Sequence, residues 1–79
     1  TSNPYVEANL LKQKTGAYHV ALVNYSSKPV PDLQVRIRSA DAGNARKAKA
    51  AFGKAKTATE GPDLLVSVSL DKFEWLTLE

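Results

Sequence analysis

Two runs of alternating apolar residues, joined through Lys14-Thr15-Gly16, occupy the chain from Tyr5 to Tyr25. Both runs are rich in leucine, β-branched and aromatic residues, which favour extended pairing. The glycine in the joining segment accepts the positive φ angle that tight turns require. The pattern therefore predicts a long antiparallel β-hairpin that ends in Leu22-Val23-Asn24-Tyr25.

The two strands of this hairpin differ in their expected burial. In the first, Val6, Ala8 and Leu10 share one side, and the other side is mostly polar, which predicts a half-buried strand. In the second, from Tyr18 to Tyr25, both sides are largely apolar. We expect this second strand to lie centrally in a sheet and to be covered on two sides.

A proline-containing connection and a third strand come next. Prolines mark residues 26–32 as a connection, because proline lacks the backbone donor that a strand ladder uses. Residues 33–38 then alternate Leu, Val and Ile with Gln34, Arg36 and Arg38. This alternation predicts a strand with one buried face and one solvated face.

Two turns divide the rest of the chain. Residues 39–44 contain Asp and Gly, and residues 60–63 read Glu-Gly-Pro-Asp, a sequence typical of tight turns. After the second turn, residues 64–70 and 73–78 both alternate with a period of two. We expect two further strands there, so that the chain closes on a strand.

The segment 45–56 has two interpretations. Its alanines and lysines have high helix propensity, and Asn44 stands where it could cap a helix. However, Ala48 and Ala50 also alternate with lysines, and Gly53 would interrupt a helix. We favour a strand over a helix, because tertiary pairing commonly overrides local propensity.

Short strands at regular intervals, with little room for crossover helices, predict an all-β fold. We expect a small antiparallel β-sandwich of about six to seven strands. The 79 residues form one domain, 1–79, with a modest core. The chain has no cysteine and a single histidine, so neither a disulfide nor a structural zinc site is expected. No apolar run approaches the roughly 20 residues that cross a bilayer, so we expect no membrane partner.

The chain carries a net charge of +3, and much of the excess of basic over acidic residues lies in one segment. Its basic residues are Arg46, Lys47, Lys49, Lys54 and Lys56. Such a patch can bind phosphates, and Phe52 could stack on a base, but the patch contains no further aromatic residue. Nucleic acid is therefore the least expected partner. A continuous basic face that included Arg36, Arg38 and Lys47 would favour a nucleic-acid-binding adaptor.

Both ends of the chain resemble a known family. The run Val6-Glu7-Ala8-Asn9-Leu10-Leu11 and the run Tyr18-His19-Val20-Ala21-Leu22-Val23-Asn24-Tyr25 precede a Pro-containing loop and an amphipathic strand. This arrangement resembles the opening of the small C-terminal β-domain of glycoside hydrolases of the family 42 β-galactosidase type and related barrel enzymes. The ending Leu70-Asp71-Lys72-Phe73-Glu74-Trp75-Leu76-Thr77-Leu78-Glu79 resembles the last strand of that domain. Residues 39–60 carry no such likeness.

The resemblance implies a non-catalytic accessory domain of a larger, carbohydrate-active enzyme. Its expected partner is the catalytic domain of the same polypeptide. Because the chain begins with a polar segment that runs directly into a strand pattern, we expect it to be a piece of a longer polypeptide, and the resemblance implies that it is the C-terminal part. An upstream signal peptide would then place it in a secreted or periplasmic protein.

No catalytic constellation, cofactor site or metal site is expected from the residues themselves. A glycosidase needs two carboxylates about 5 to 9.5 Å apart. Asp32, Asp41, Glu60 and Asp63 fall in predicted turns, where carboxylates accept hydrogen bonds from the backbone. His19 has no cysteine and no serine of a nucleophile elbow to serve, so we expect it to pack or hydrogen-bond within the sheet.

Trp75, Tyr25 and Phe73 are the candidate residues for contact with carbohydrate or with a neighbouring domain. Sugar rings stack on exposed aromatic faces, so an exposed coplanar pair would favour a carbohydrate-binding module. Large aromatic side chains also carry much of the energy of cores and interfaces, and this packing role is the one we favour for Trp75. Asn24-Tyr25-Ser26 fits the glycosylation acceptor pattern, but we expect Asn24 to bond locally at the strand end.

Overall fold

The computed structural model describes residues 3–79 and is built from β-strands. The strands are β1 (Val6–Lys12), β2 (Tyr18–Asn24), β3 (Val30–Arg38), β4 (Ala48–Ala50), β5 (Ala55–Glu60), β6 (Asp63–Leu70) and β7 (Phe73–Leu78). One 3-10 turn, Ser39–Ala42, lies between β3 and β4. Residues 3–79 contain no helix with the length and apolar character that a bilayer crossing requires.

The strands form two antiparallel sheets. Sheet A has the strand order β1-β2-β7-β4, and sheet B has the order β3-β6-β5. The chain passes from one sheet to the other after β2, β3, β4 and β6, so neighbours in sequence often lie in different sheets. The predicted all-β antiparallel sandwich is confirmed.

Apolar side chains on the facing sides of the two sheets form one core. Its largest fully buried members are Leu22, Leu33, Leu64, Leu70, Leu76 and Val66. Full burial of such a side chain stabilises the fold by roughly 1.5–3 kcal/mol. These residues come from β2, β3, β6 and β7, so the core lies between these four strands.

The predicted hairpin is present as β1 and β2. Val6 pairs with Asn24 at its open end, and Gly16 has a φ angle of 92° in its turn. The Gly16 N–H donates to the carbonyl of Gln13 at 2.9 Å. The joining glycine therefore has the conformation that the sequence pattern predicted.

The expected burial of the hairpin strands needs two corrections. Val6 is the buried residue of β1, whereas Ala8 and Leu10 are exposed, so a half-buried β1 is wrong. The reason is that sheet B has one strand fewer than sheet A and leaves β1 uncovered. β2 is central in its sheet as predicted, but Ala21 and Val23 on its outward side are only partly buried, because no described element covers them.

The segment 45–56 is not helical. β4 pairs antiparallel with β7, and β5 follows after a bend. The N–H groups of Arg46 and Lys47 donate to the Glu79 carbonyl at 2.9 and 3.1 Å. The favoured strand is thus confirmed and the helix is wrong, because pairing with the last strand outweighs the helix propensity of alanine and lysine.

The proline-containing connection is shorter than predicted. β3 begins at Val30, not after Asp32, and its register with β6 shifts between Val30 and Leu33. Asp32 has a φ angle of 53° at this irregularity. Pro31 has no N–H to give to the ladder, so a local bulge lets the strand continue past it.

The other predicted elements are confirmed. Gly43 closes the 3-10 turn with a φ angle of 63°. Gly61 and Pro62 link β5 to β6, with Glu60 opposite Asp63. The runs 64–70 and 73–78 form most of β6 and all of β7.

Candidate functional site

The side of sheet A that points away from the core carries the candidate contact residues. Side chains alternate along a strand, so the neighbours of the buried Val20, Leu22 and Leu76 point outward. We call this outward side the A face. It comprises Glu7, Asn9, Leu11, His19, Ala21, Val23, Tyr25, Lys49, Phe73, Trp75 and Thr77.

The centre and one end of the A face are apolar and accessible. Val23 lies opposite Phe73, and Ala21 lies opposite Trp75 in the register of β2 with β7. Phe73 is 44% exposed, and Tyr25 at the end of β2 is 68% exposed. A contiguous apolar surface of this kind is typical of an interaction site.

Phe52, in the bend after β4, extends the A face at the β4 edge. Its ring meets that of Phe73 edge to face, with centroids 6.1 Å apart and planes at 60°. Phe52 itself is 75% exposed. Its position is set by Glu74, a buried residue on the core side of β7.

Glu74 holds this bend in place with its carboxylate. The N–H groups of Phe52 and Gly53 donate to Glu74 Oε1 and Oε2, both at 3.0 Å, and the Trp75 N–H donates to Oε1 at 2.9 Å. These bonds compensate the cost of burying a charged group. No role of Glu74 is predicted from the sequence, although its alternation with Leu76 and Leu78 places it on the inward side of β7.

His19 and Trp75 stack at the middle of the A face. Their ring centroids are 4.9 Å apart at an angle of 28°. His19 is only 8% exposed, and its Nδ1 lies 3.3 Å from the hydroxyl of Thr77 in a hydrogen bond. The Nε2 of His19 is buried and has no hydrogen-bond partner among residues 3–79. The prediction that His19 packs or hydrogen-bonds within the sheet is confirmed, since the ring does both.

Tyr25 is tied to the A face by Glu7. The Tyr25 hydroxyl donates to Glu7 Oε2 at 2.9 Å. This hydrogen bond, together with the negative charge of Glu7, raises the pKa of the Tyr25 phenol above its ordinary value of 10.0. The bond links the end of β2 to the start of β1 across the surface.

The Asn24 side chain hydrogen-bonds both to the connection between β2 and β3 and to the connection between β6 and β7. Its Nδ2 donates to the carbonyls of Lys28 at 2.8 Å and Asp71 at 2.6 Å. Its Oδ1 accepts from the N–H and the hydroxyl of Ser26 at 2.8 and 2.7 Å. The expected local bonding of Asn24 is confirmed, and the amide nitrogen that glycosylation would modify is engaged in the fold.

The three candidate contact residues Trp75, Tyr25 and Phe73 lie on the same face. Their geometry differs from that of a flat sugar platform, because Trp75 stacks on a buried histidine and Phe73 meets its aromatic partner at a steep angle. Within the described chain, these ring contacts give no exposed coplanar aromatic pair. The feature that would have favoured a carbohydrate-binding module is therefore not seen.

The basic residues do not form one face. Arg36 and Arg38 point outward from sheet B, whereas Lys47 lies in the other sheet, beside β4, where its backbone pairs with that of Glu79. Arg36 donates to Asp63 Oδ2 at 2.7 Å and lies 3.8 Å from Glu60 Oε1, and the bond to Asp63 is the main cause that raises the Arg36 pKa. The continuous basic face that would favour a nucleic-acid adaptor is thus not seen.

The four carboxylates that were predicted to lie in turns do not meet in one place. Glu60 and Asp63 lie beside Arg36, Asp32 lies in the bulge of β3, and Asp41 lies in the 3-10 turn. Within residues 3–79, no group of three or more His, Cys, Asp or Glu side chains could hold a metal ion.

Comparison with known proteins found no match among family models, curated proteins or solved structures.

Proposed function

We propose that this chain is a non-catalytic accessory domain that packs its A face against a partner domain. The observation that carries the proposal is an apolar outer face on a sheet with no described element to cover it. In a protein that displays such a face to water, the apolar surface would favour non-specific association. Docking on a partner domain would bury it.

The size of the A face suits an interface between domains. Four strands about 4.8 Å apart, each about six residues long at about 3.3 Å per residue, cover roughly 400 Å². Counted on both partners, this is about 800 Å², within the roughly 600–1,500 Å² typical of contacts between domains of one chain. The short β4 and the polar Glu7 and Asn9 form the rim of this surface.

The residues of the A face form an apolar centre with polar groups around it, as an interface between domains requires. The stack on His19 already restricts the side chain of Trp75. Docking of this large ring on a partner would therefore cost little conformational entropy. Phe73 and Val23 supply apolar surface beside it. Tyr25 and Thr77 place polar groups around this centre, in the pattern of an apolar core with a polar rim.

The identity of the partner comes from the family resemblance. We propose that it is the catalytic domain of the same polypeptide, in a larger carbohydrate-active enzyme of the glycoside hydrolase type. In the family that the chain resembles, the accessory domain lies apart from the active-site carboxylates. The chain would then contribute stability and position to the enzyme, not chemistry.

Hydroxyl-radical footprinting of the chain alone and within the full product of its gene tests the proposal. We expect Trp75, Phe73 and Leu11 to be labelled in the isolated chain and protected in the full product, because docking would exclude solvent from the A face. Leu65, which points outward from sheet B, is the control and should be labelled equally in both. The variant Phe73→Lys should lose the protection, whereas Leu65→Lys should keep it. Equal labelling of the A face in both forms would contradict the proposal.

A titration distinguishes docking from sugar binding. The proton–nitrogen NMR spectrum of the isolated chain should not change when a panel of oligosaccharides is added. Shifts confined to Trp75, Tyr25 and their neighbours would replace the docking proposal with a carbohydrate-binding module. A matched titration with short single-stranded DNA tests the third candidate in the same way.

A further inference from the structure

The two sheets leave a groove open along one side of the sandwich. Sheet A ends at β1 and sheet B ends at β3, and the groove runs between these two edge strands. Ala8 and Leu10 line it from β1, and Val35 and Ile37 line it from β3. Leu10 is 42% exposed although it lies on the inward side of its sheet. Sheet B thus lacks a strand at the place where a fourth one would cover β1.

The backbone of β1 presents N–H and C=O groups on the side away from β2. The Tyr25 N–H donates to the Tyr5 carbonyl and the Gln13 N–H donates to the Ala17 carbonyl, both at 2.8 Å. Odd-numbered residues of β1 therefore form the hydrogen-bonded pairs with β2, since such pairs alternate along an antiparallel ladder. The N–H and C=O groups of Ala8 and Leu10 consequently point away from β2.

The backbone of β3 likewise presents N–H and C=O groups on the side away from β6. The Ser39 N–H donates to the Pro62 carbonyl at 3.0 Å, directly beyond the pair of Arg38 with Asp63. Odd-numbered residues of β3 therefore bond to β6, and the N–H and C=O groups of Arg36 and Arg38 point toward the groove. An edge strand of this kind is a template for a further strand.

We propose that the groove between β1 and β3 binds an extended segment of a partner protein, in which apolar residues alternate with Asp or Glu. The segment adds to the free edge of β3 as a fourth strand of sheet B. Its apolar residues face inward and cover Leu10 and Ala8. Main-chain bonds to the β3 edge supply affinity, and the alternate side chains supply specificity. The proposal concerns a different surface from the A face and does not rest on the proposed function.

The charge of the groove selects an acidic segment. Arg36 and Arg38 both line the groove, and among residues 3–79 Asp41 is the one carboxylate that lines it. Arg38 forms no ion pair within residues 3–79, and Arg36 is paired with groups on the β5 and β6 side. The outward side chains of an added strand lie beside these two guanidinium groups, where opposite charges stabilise a cross-strand pair and like charges destabilise it.

The same charges disfavour a second copy of the chain as the occupant. Antiparallel pairing of β3 with the β3 of another copy would place arginines opposite one another or close together across the new ladder. Like charges directly opposite in a sheet are destabilising. A partner with carboxylates at these positions has no such cost.

Peptide titration of the isotope-labelled 79-residue chain tests the inference. The probe is a capped synthetic peptide of alternating Val and Glu, with the length of β3, 9 residues. The control probe is the same peptide with Lys in place of Glu. We expect saturable shifts of the backbone amides of Ala8, Leu10, Arg36 and Arg38 with the Glu peptide, and binding of the Lys peptide weaker by roughly tenfold or more.

Three variants at exposed positions sharpen the test without risk to the core. Arg38→Glu should weaken binding of the Glu peptide by roughly tenfold and improve binding of the Lys peptide. The charge-matched control Lys56→Glu, on β5, should leave both affinities unchanged. Leu10→Ser should weaken binding of both peptides, because it removes apolar surface that the added strand covers and leaves the charge unchanged.

Three results would overturn the inference. The first is the absence of shifts at the β1 and β3 edges with either peptide. The second is equal binding of the Glu and Lys peptides. The third is self-association of the chain, measured by sedimentation, that shifts the same edge amides without any peptide, because a second copy would then be the occupant.

Discussion

The two outer faces of the sandwich differ in chemistry although both belong to antiparallel sheets of similar size. The A face carries Trp75, Phe73 and Val23 at its centre, and its main polar contact is the bond from Tyr25 to Glu7. The outer side of sheet B, which we call the B face, comprises Gln34, Arg36, Arg38, Lys56, Ala58, Glu60, Asp63, Leu65, Ser67 and Ser69. Most of its members are charged or hydroxyl-bearing.

Several polar groups of the B face are paired with one another across strands. Arg36 bonds to Asp63, and the Ser67 hydroxyl donates to Gln34 Oε1 at 3.2 Å. Such pairs are compatible with water on the outside of a sheet. The outer side of sheet B is therefore suited to contact with water, whereas the outer side of sheet A has the chemistry of a contact surface.

The largest expected loss of stability follows removal of the Glu74 carboxylate, which holds the bend beside the A face. Glu74→Ala should lower the free energy of unfolding by about 2–4 kcal/mol, because it leaves the N–H groups of Phe52 and Gly53 without their charged acceptor. Urea denaturation followed by circular dichroism measures the change. Glu60→Ala on the B face is the matched control and should have a much smaller effect, since that ion pair is exposed. Equal losses for both variants would contradict the supporting role of Glu74.

A smaller loss is expected when the centre of the A face is truncated. Trp75→Ala should cost about 1–3 kcal/mol, because it removes the stack on His19 and opens that buried imidazole to water. The comparison variant is Leu65→Ala at a partly buried position of the B face. We expect Leu65→Ala to cost less, as judged by the two urea midpoints. A larger loss for Leu65→Ala would reverse the ranking of the two faces.

The ion pairs of the B face should respond to salt, whereas the A face should not. Arg36→Gln should lower the thermal midpoint slightly at low ionic strength, and the difference from the parent chain should shrink in high salt. Trp75→Ala should keep its full effect at both salt concentrations. Calorimetry of the parent and the two variants measures this contrast. A salt-independent effect of Arg36→Gln would show that its pairing with Asp63 is not the source.

The smallest effect concerns the titration of one phenol on the A face. The bond from Tyr25 to Glu7 favours the neutral phenol, so it persists below pH 10 and is lost as pH rises through the raised pKa of Tyr25. Glu7→Gln should lower this pKa toward the ordinary value of 10.0. NMR titration of the Tyr25 ring measures the shift, with Tyr5 as the internal reference. An unchanged Tyr25 pKa in the variant would mean that Glu7 is not its cause.

Much of the strand architecture was predictable because it depends on local alternation. Apolar residues at every second position predicted the hairpin, β3, β6 and β7, and turn chemistry predicted the tight turns around Gly16 and Gly61. The candidate contact residues Trp75 and Phe73 also followed from the pattern of the last strand. They share a face because residues two apart in a strand always do.

The formation of strand β4 and the role of Glu74 both depend on contacts between residues that are distant in the sequence. Alanine and lysine favour a helix locally, and only the pairing of Ala48–Ala50 with the distant β7 makes this segment extended. The partners of the Glu74 carboxylate are backbone groups of residues 52 and 53, and no pattern within β7 indicates them. Local propensity competes with tertiary pairing, and here the pairing prevails.

Local sequence patterns were sufficient to predict the strands, the turns and therefore the all-β class, because these depend on neighbours a few residues apart. Which apolar faces are covered depends instead on how the two sheets pack. Leu10 and Leu22 both fall on the inward side of the hairpin, but Leu22 is fully buried and Leu10 is exposed. The physical reason is that burial depends on the number and placement of strands in the opposite sheet, and sheet B ends one strand before it reaches β1.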